Sequence, residues 1–123
     1  IGETDFIPGT LVSSHAGRAV VDSALGRMEG VFGDPAAGPV AGAKVTLCVR
    51  PECWSLTDRQ PVNNWVRGRI GEAVYLGELA QYALQAGGQT LKVIELNPRF
   101  LEKSGQGEVY ARAEPDDVVV LTD

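Results

Sequence analysis

The chain predicts an all-β fold, a small barrel or sandwich of eight or nine short strands whose two halves can each form a small sheet. Three observations lead there. Short β-prone runs recur along all 123 residues, divided by Gly, Pro, Asn and Asp turn signals. Period-two alternation dominates several of them, as in Val45-Thr46-Leu47-Cys48-Val49-Arg50 and Glu108-Val109-Tyr110-Ala111-Arg112-Ala113. A hairpin is explicit where Gly87-Gly88 separates residues 79–86 from residues 90–96.

Taken in order, residues 1–8 read as a lead-in, punctuated by Gly2 and Pro8-Gly9. Runs at 10–13 and 18–22 flank a turn at Ala16-Gly17, and a third run, 27–32, follows Gly26. Residues 33–39 hold too many breakers for regular structure and form a loop. The strand at 43–50 stops at Pro51, which has no N–H for a ladder. Thr57-Asp58, Pro61 and Asn63-Asn64 make residues 55–64 a second loop. A long strand runs from Trp65 to Leu76, with Gly68 and Gly71 where a bend or bulge is needed. Residues 79–86 also fit helical spacing, but the Gly-Gly exit and the partner arm favour a strand. Asn97-Pro98-Arg99 ends that arm, and Gly105-Gln106-Gly107 introduces 108–113. A turn at 114–117 then leads into the closing run 118–121.

Composition narrows function mainly by exclusion. At 44% hydrophobic and 22% charged the chain is an ordinary globular sequence rather than a disordered one. A net charge of −5 argues against a nucleic-acid binder, whose footprint is basic, although Arg67 and Arg69 form a local basic pair. No run nears the roughly 20 apolar residues of a membrane span, and no signal-peptide pattern is seen. Cys48 and Cys53 read as reduced thiols of an intracellular protein; with one histidine, zinc ligands fall short. No G-x-x-x-x-G-K-[ST] phosphate loop is present, so no cofactor-binding, metal or catalytic residue is assigned.

The candidate site is a sheet rim. Arg50 and Glu52 straddle Pro51 and face the same way if the chain stays extended. Tyr75, Gly77 and Glu78 close the long strand in the same manner. Arg50 with Glu52 or Glu78 makes a charge pair for a ligand or partner subunit, or Arg50 is a solvated strand end. Gly77 answers a backbone need, positive φ or close approach, ahead of a ligand role. His15 beside Ser13-Ser14 reads as a surface histidine, Trp54 and Trp65 as packing or a stacking platform, and Glu114, Asp116 and Asp117 as a solvated turn.

Four stretches share one resemblance. Ile1-Gly2-Glu3-Thr4-Asp5-Phe6-Ile7-Pro8-Gly9 is similar to the "IGETNFLPG" junction of ATP-binding subunits in bacterial ABC importers. Val49-Arg50-Pro51-Glu52 resembles their "RPE" stretch, Tyr75-Leu76-Gly77-Glu78 their "YLG" stretch, and residues 115–121 their closing segment. Asp5 stands where those proteins usually carry Asn. Lys103-Ser104-Gly105-Gln106-Gly107 only echoes the LSGGQ signature of such ATPases.

The family so resembled is the TOBE domain, an OB-like barrel region attached after the nucleotide-binding domain, here of the polyamine (spermidine/putrescine) type. The resemblance implies that residues 1–123 are a non-catalytic fragment of a longer, ATP-hydrolysing subunit. ATP and Mg²⁺ then belong to the ATPase domain. Implied partners are a second subunit in a homodimer and membrane permease subunits reached through the ATPase domain, with no nucleic acid. The implied location is peripheral, on the cytoplasmic side of the bacterial inner membrane. Subunit dimerisation or regulation is the implied task, and sensing of an oxyanion or polyamine is the alternative.

Overall fold

A computed structural model describes residues 3–34, 38–96 and 107–122. The alternating runs become ten strands: β1 (Asp5–His15), β2 (Arg18–Ser23), β3 (Gly26–Phe32), β4 (Lys44–Val49), β5 (Ser55–Thr57), β6 (Trp65–Leu76), β7 (Leu79–Ala86), β8 (Gln89–Leu96), β9 (Glu108–Arg112) and β10 (Val119–Thr122). Among the described residues, single 3-10 turns at Pro51–Cys53 and Pro115–Asp117 are the other regular elements. No helix among the described residues is long and apolar enough to cross a membrane.

Among the described residues the count of eight or nine strands is too low by the short β5, and one strand boundary also moves. Ser55–Thr57 lies in the stretch read as a loop, yet it pairs with β9 from Ser55↔Arg112 to Thr57↔Tyr110. Three residues are too short a run for periodicity to register. The lead-in also belongs partly to β1, which begins at Asp5 and pairs with β4 through Pro8↔Thr46. Pro8 is tolerated because β2 joins β1 only from Gly9↔Ser23 onward, so the missing N–H falls where one ladder alone is in use. Three expected features fall outside the described residues: the break at 97–99, the signature-like stretch 103–106 and the middle of the breaker-rich loop, 35–37.

The strands form a closed barrel in the order β1-β2-β3-β10-β4 and a five-stranded sheet in the order β5-β9-β6-β7-β8. These are not the two halves of the sequence. The last strand returns to the first unit and closes it, parallel to β3 at Val119↔Val31 and antiparallel to β4 at Val120↔Leu47. One apolar cluster joins both units, including Ile7, Val21, Met28, Leu47 and Val120 from the barrel and Val66, Tyr82, Leu84 and Val93 from the sheet.

Of the two β6 glycines only Gly71 marks the expected bulge, and β6 lies in the five-stranded sheet and not in the barrel. Its register with β7 slips between Ile70 and Glu72, the bulge falling at Gly71. A side chain at position 68 would overlap the Gln85 carbonyl, so Gly68 allows β7 its close approach. The hairpin of β7 and β8 runs from Leu79↔Leu96 to Ala86↔Gln89, with both turn glycines at positive φ.

Candidate functional site

The expected rim residues separate into two groups. Arg50 is exposed just past β4 in extended backbone, and its carbonyl accepts the Cys53 N–H at 2.9 Å as the 3-10 turn closes. The chain thus turns at Pro51, which is buried, instead of continuing extended, and the side-by-side display of Arg50 and Glu52 is lost. Arg50 makes no ion pair with Glu52 or Glu78 within the described residues. Burial pushes the Cys53 thiol up, with Asp117 and Glu52 adding to the shift and Arg50 opposing it.

Tyr75, Gly77 and Glu78 lie in the other unit, around the turn between β6 and β7, and all three are exposed. Gly77 has φ +70° with open space where a side chain would point, so the backbone conformation is the requirement and close approach is not. No hydrogen bond or ion pair connects this group to Arg50 or Glu52.

A groove of about 430 Å³ lies elsewhere, between the start of β1 and the sheet. Glu3 and Phe6 form one wall, and Glu72, Val74, Gln81, Ala83 and Lys92 lie along the other side. At its base the Asp5 carboxylate accepts the Trp54 indole N–H and the Lys92 backbone N–H, each at 2.8 Å. Burial raises the Asp5 pKa, opposed by those two donors and by the Lys92 charge. Tyr82 donates to Glu95 at 3.1 Å, and burial followed by that carboxylate drives its ionisation well up.

Asp5 is a residue that sequence reasoning placed at a junction and missed as a core polar group. The usable signal was Trp54, whose indole N–H needs an acceptor once buried. Asn64 was missed in the same way. It is 3% exposed and holds φ +54°, a conformation that Asn tolerates better than most residues. Its side chain accepts the Glu29 N–H at 2.7 Å and donates to the Glu29 and Ala113 carbonyls at 2.8 and 3.1 Å. Asp5 and Asn64 are thus two polar clasps that tie barrel to sheet.

The remaining candidates take their quieter readings. Trp54 is buried and Trp65 packs edge-on against Tyr110, with centroids 5.4 Å apart. Cys48 and Cys53 are free thiols, and burial also pushes Cys48 up. His15 is exposed at the end of β1. Within the acidic turn, Glu114 pairs with Arg112 at 2.7 Å and Asp116 with Arg18 at 2.6 Å. Arg67 is paired with Glu108 at 3.1 Å. No cluster of three His, Cys, Asp or Glu suited to a metal occurs among the described residues.

A closed five-stranded barrel joined to a second β-sheet, with open grooves along the surface, defines a small all-β domain. Residues 47–121 match the family model for the TOBE domain, and the chain belongs to that family. A spermidine/putrescine import ATP-binding protein, PotA, from Rubrobacter xylanophilus (strain DSM 9941 / JCM 11954 / NBRC 16129 / PRD-1) is 37% identical over 87 residues. That match covers 70% of this chain and 22% of the relative, so the chain spans about a fifth of the relative's length. In three dimensions the chain is similar to the cytoplasmic molybdate-binding protein ModG, in a crystal form with molybdate bound. The TM-score is 0.79 over 97% of this chain and 96% of that one, at 18% identity, which supports the small-barrel fold expected from the sequence.

Proposed function

We propose that residues 1–123 are an accessory region of a longer ATP-binding subunit in a bacterial ABC importer of the polyamine type. Its task is to hold two such subunits together while ATP, with Mg²⁺, is consumed in a separate ATPase domain. The observation that carries this reading is the 37% identity to part of a spermidine/putrescine import ATP-binding protein. The physical logic is local concentration, since a persistent contact keeps the partner near after ATP is spent. The working location is peripheral, at the cytoplasmic face of the inner membrane, with permease subunits engaged through the ATPase domain. Arg50, Glu52, Tyr75, Gly77 and Glu78 remain the proposed ligand or interface residues. The test is removal of this region from the full-length subunit. Loss of the homodimer by light scattering, with ATP binding retained, supports the tether; an unchanged dimer overturns it.

The groove favours a second reading, a sensor for a small cation. Glu3 and Glu72 supply carboxylates, Phe6 and Val74 an apolar surface, and the net charge of −5 disfavours an oxyanion. Calorimetry with spermidine, putrescine, sulfate and molybdate decides it. Heat with the polyamines, reduced in Glu72→Gln, supports sensing; absence of heat with all four leaves the tether alone.

A further inference from the structure

The barrel turn between β2 and β3 meets the sheet so closely that a side chain at position 87 would overlap Leu25. A cleft opens on either side of that contact. One, of about 560 Å³, runs along β6 past Arg67 and Arg69. The other, of about 400 Å³, lies between β3 and residues 62–65. Leu25 and Trp65 line both, so the two form one continuous groove. It shares no lining residue with the groove at Asp5. Its walls are preset. The Ser23 hydroxyl donates to the Gly26 carbonyl and accepts the Leu25 N–H, and Trp65 rests edge-on against Tyr110. Asn64 fastens the Glu29 carbonyl to that of Ala113.

The two halves of the groove differ in chemistry. Trp65, Arg67 and Arg69 alternate along β6 and so share one face, over about 13 Å of strand. Glu108 stands opposite Arg69 in the β6–β9 register, yet its carboxylate meets Arg67 Nε at 3.1 Å. Two guanidinium groups thus share one carboxylate, and Arg69 forms no ion pair among the described residues. In a chain of net charge −5, that local positive excess attracts an anion. The other half is apolar. Arg27 is held there by Asp22 at 2.8 Å, and the remaining surface includes Val20, Leu25 and Val62, the last fully exposed. Glu29 also lines this half and repels an acidic group from it. The groove therefore has a direction, apolar at one end and basic at the other.

We propose that this groove docks an extended acidic peptide segment of a partner protein. An aliphatic side chain of the peptide lies against Leu25 and Val62, its backbone crosses Trp65, and a carboxylate engages the Arg69 guanidinium. A guanidinium fork takes a carboxylate through two parallel N–H bonds, which fixes the register of the segment. A compact anion would satisfy Arg69 and leave the Val62 end bare, so the length and polarity of the groove favour a peptide. The inference goes beyond the tether and sensor readings and depends on neither.

The experiment is fluorescence anisotropy of the 123-residue chain with a labelled peptide in which two leucines are followed, after a glycine pair, by three glutamates. Arg69 and Val62 are both exposed, so their variants test the groove without disturbing the core, and thermal unfolding verifies that each is folded. The peptide binds wild type more tightly than roughly 1 mM, and added salt weakens it. Arg69→Glu weakens binding by about tenfold or more, and Val62→Ser by about threefold. Three results overturn the site: no binding at roughly 1 mM, equal binding of a peptide with glutamines for the glutamates, or an affinity indifferent to both substitutions. Inorganic phosphate and AMP are run as competitors. If either displaces the peptide at a concentration below the peptide's own Kd, the groove belongs to a small anion and the peptide assignment fails.

Discussion

Asp5 and Asn64 carry the polar energetics of this domain, and both are buried. Replacing Asn64 with Ala strands the Glu29 N–H and two carbonyls, so Asn64→Ala should cost about 2–4 kcal/mol by urea denaturation. Asn64→Asp should be no better, because a carboxylate oxygen then faces two carbonyl oxygens. Asp5 makes a prediction about pH. Its folded pKa is raised above the ordinary 3.8, chiefly by burial, so the folded state holds the proton to higher pH than the unfolded chain does. The contribution is fully present below the unfolded value and is withdrawn as pH rises through the folded one. Relative to Asp5→Asn, wild-type stability should therefore fall as pH is raised just above 3.8, measured by denaturation across that range. The offset between the curves adds a second check. Both Asp5 oxygens accept N–H groups, and an Asn amide nitrogen would oppose one of them.

At the level of elements, the turns were far more readable than the polar clasps. Gly87-Gly88 announced its hairpin because few residues accept consecutive positive φ values. Gly77 is the same case, and Gly77→Val should cost about 1–2 kcal/mol, with Gly77→Asn milder, by thermal unfolding. Surface charge pairs weigh less. Arg18 and Asp116 meet at 2.6 Å across distant parts of the sequence, yet both side chains are more than half exposed. Arg18→Ala should change stability by less than about 1 kcal/mol. The Arg50-Pro51-Glu52 corner shows where strand logic fails. Alternation places residues i and i+2 on one face only while the chain is extended, and a 3-10 turn begins at Pro51.

For the whole molecule, the decisive fact is that β10 returns across the sequence to close the barrel between β3 and β4. Removal of residues 119–123 should open two strand edges and uncover Met28, Leu47 and their neighbours in the core. Such a truncated chain should lose near-ultraviolet circular dichroism and aggregate, while β7 and β8 keep their local hairpin.

The division between sequence and tertiary structure follows the range of the forces involved. Alternation, breakers and glycine turns act within a few residues, so the all-β class, most strand positions, the β6 bulge and the hairpins could be read along the chain. The two clasps, the pairing of β5 and the closing position of β10 each join residues tens of positions apart. Hydrogen bonds and apolar contacts at that separation depend on which strands become neighbours, and only the folded register settles that.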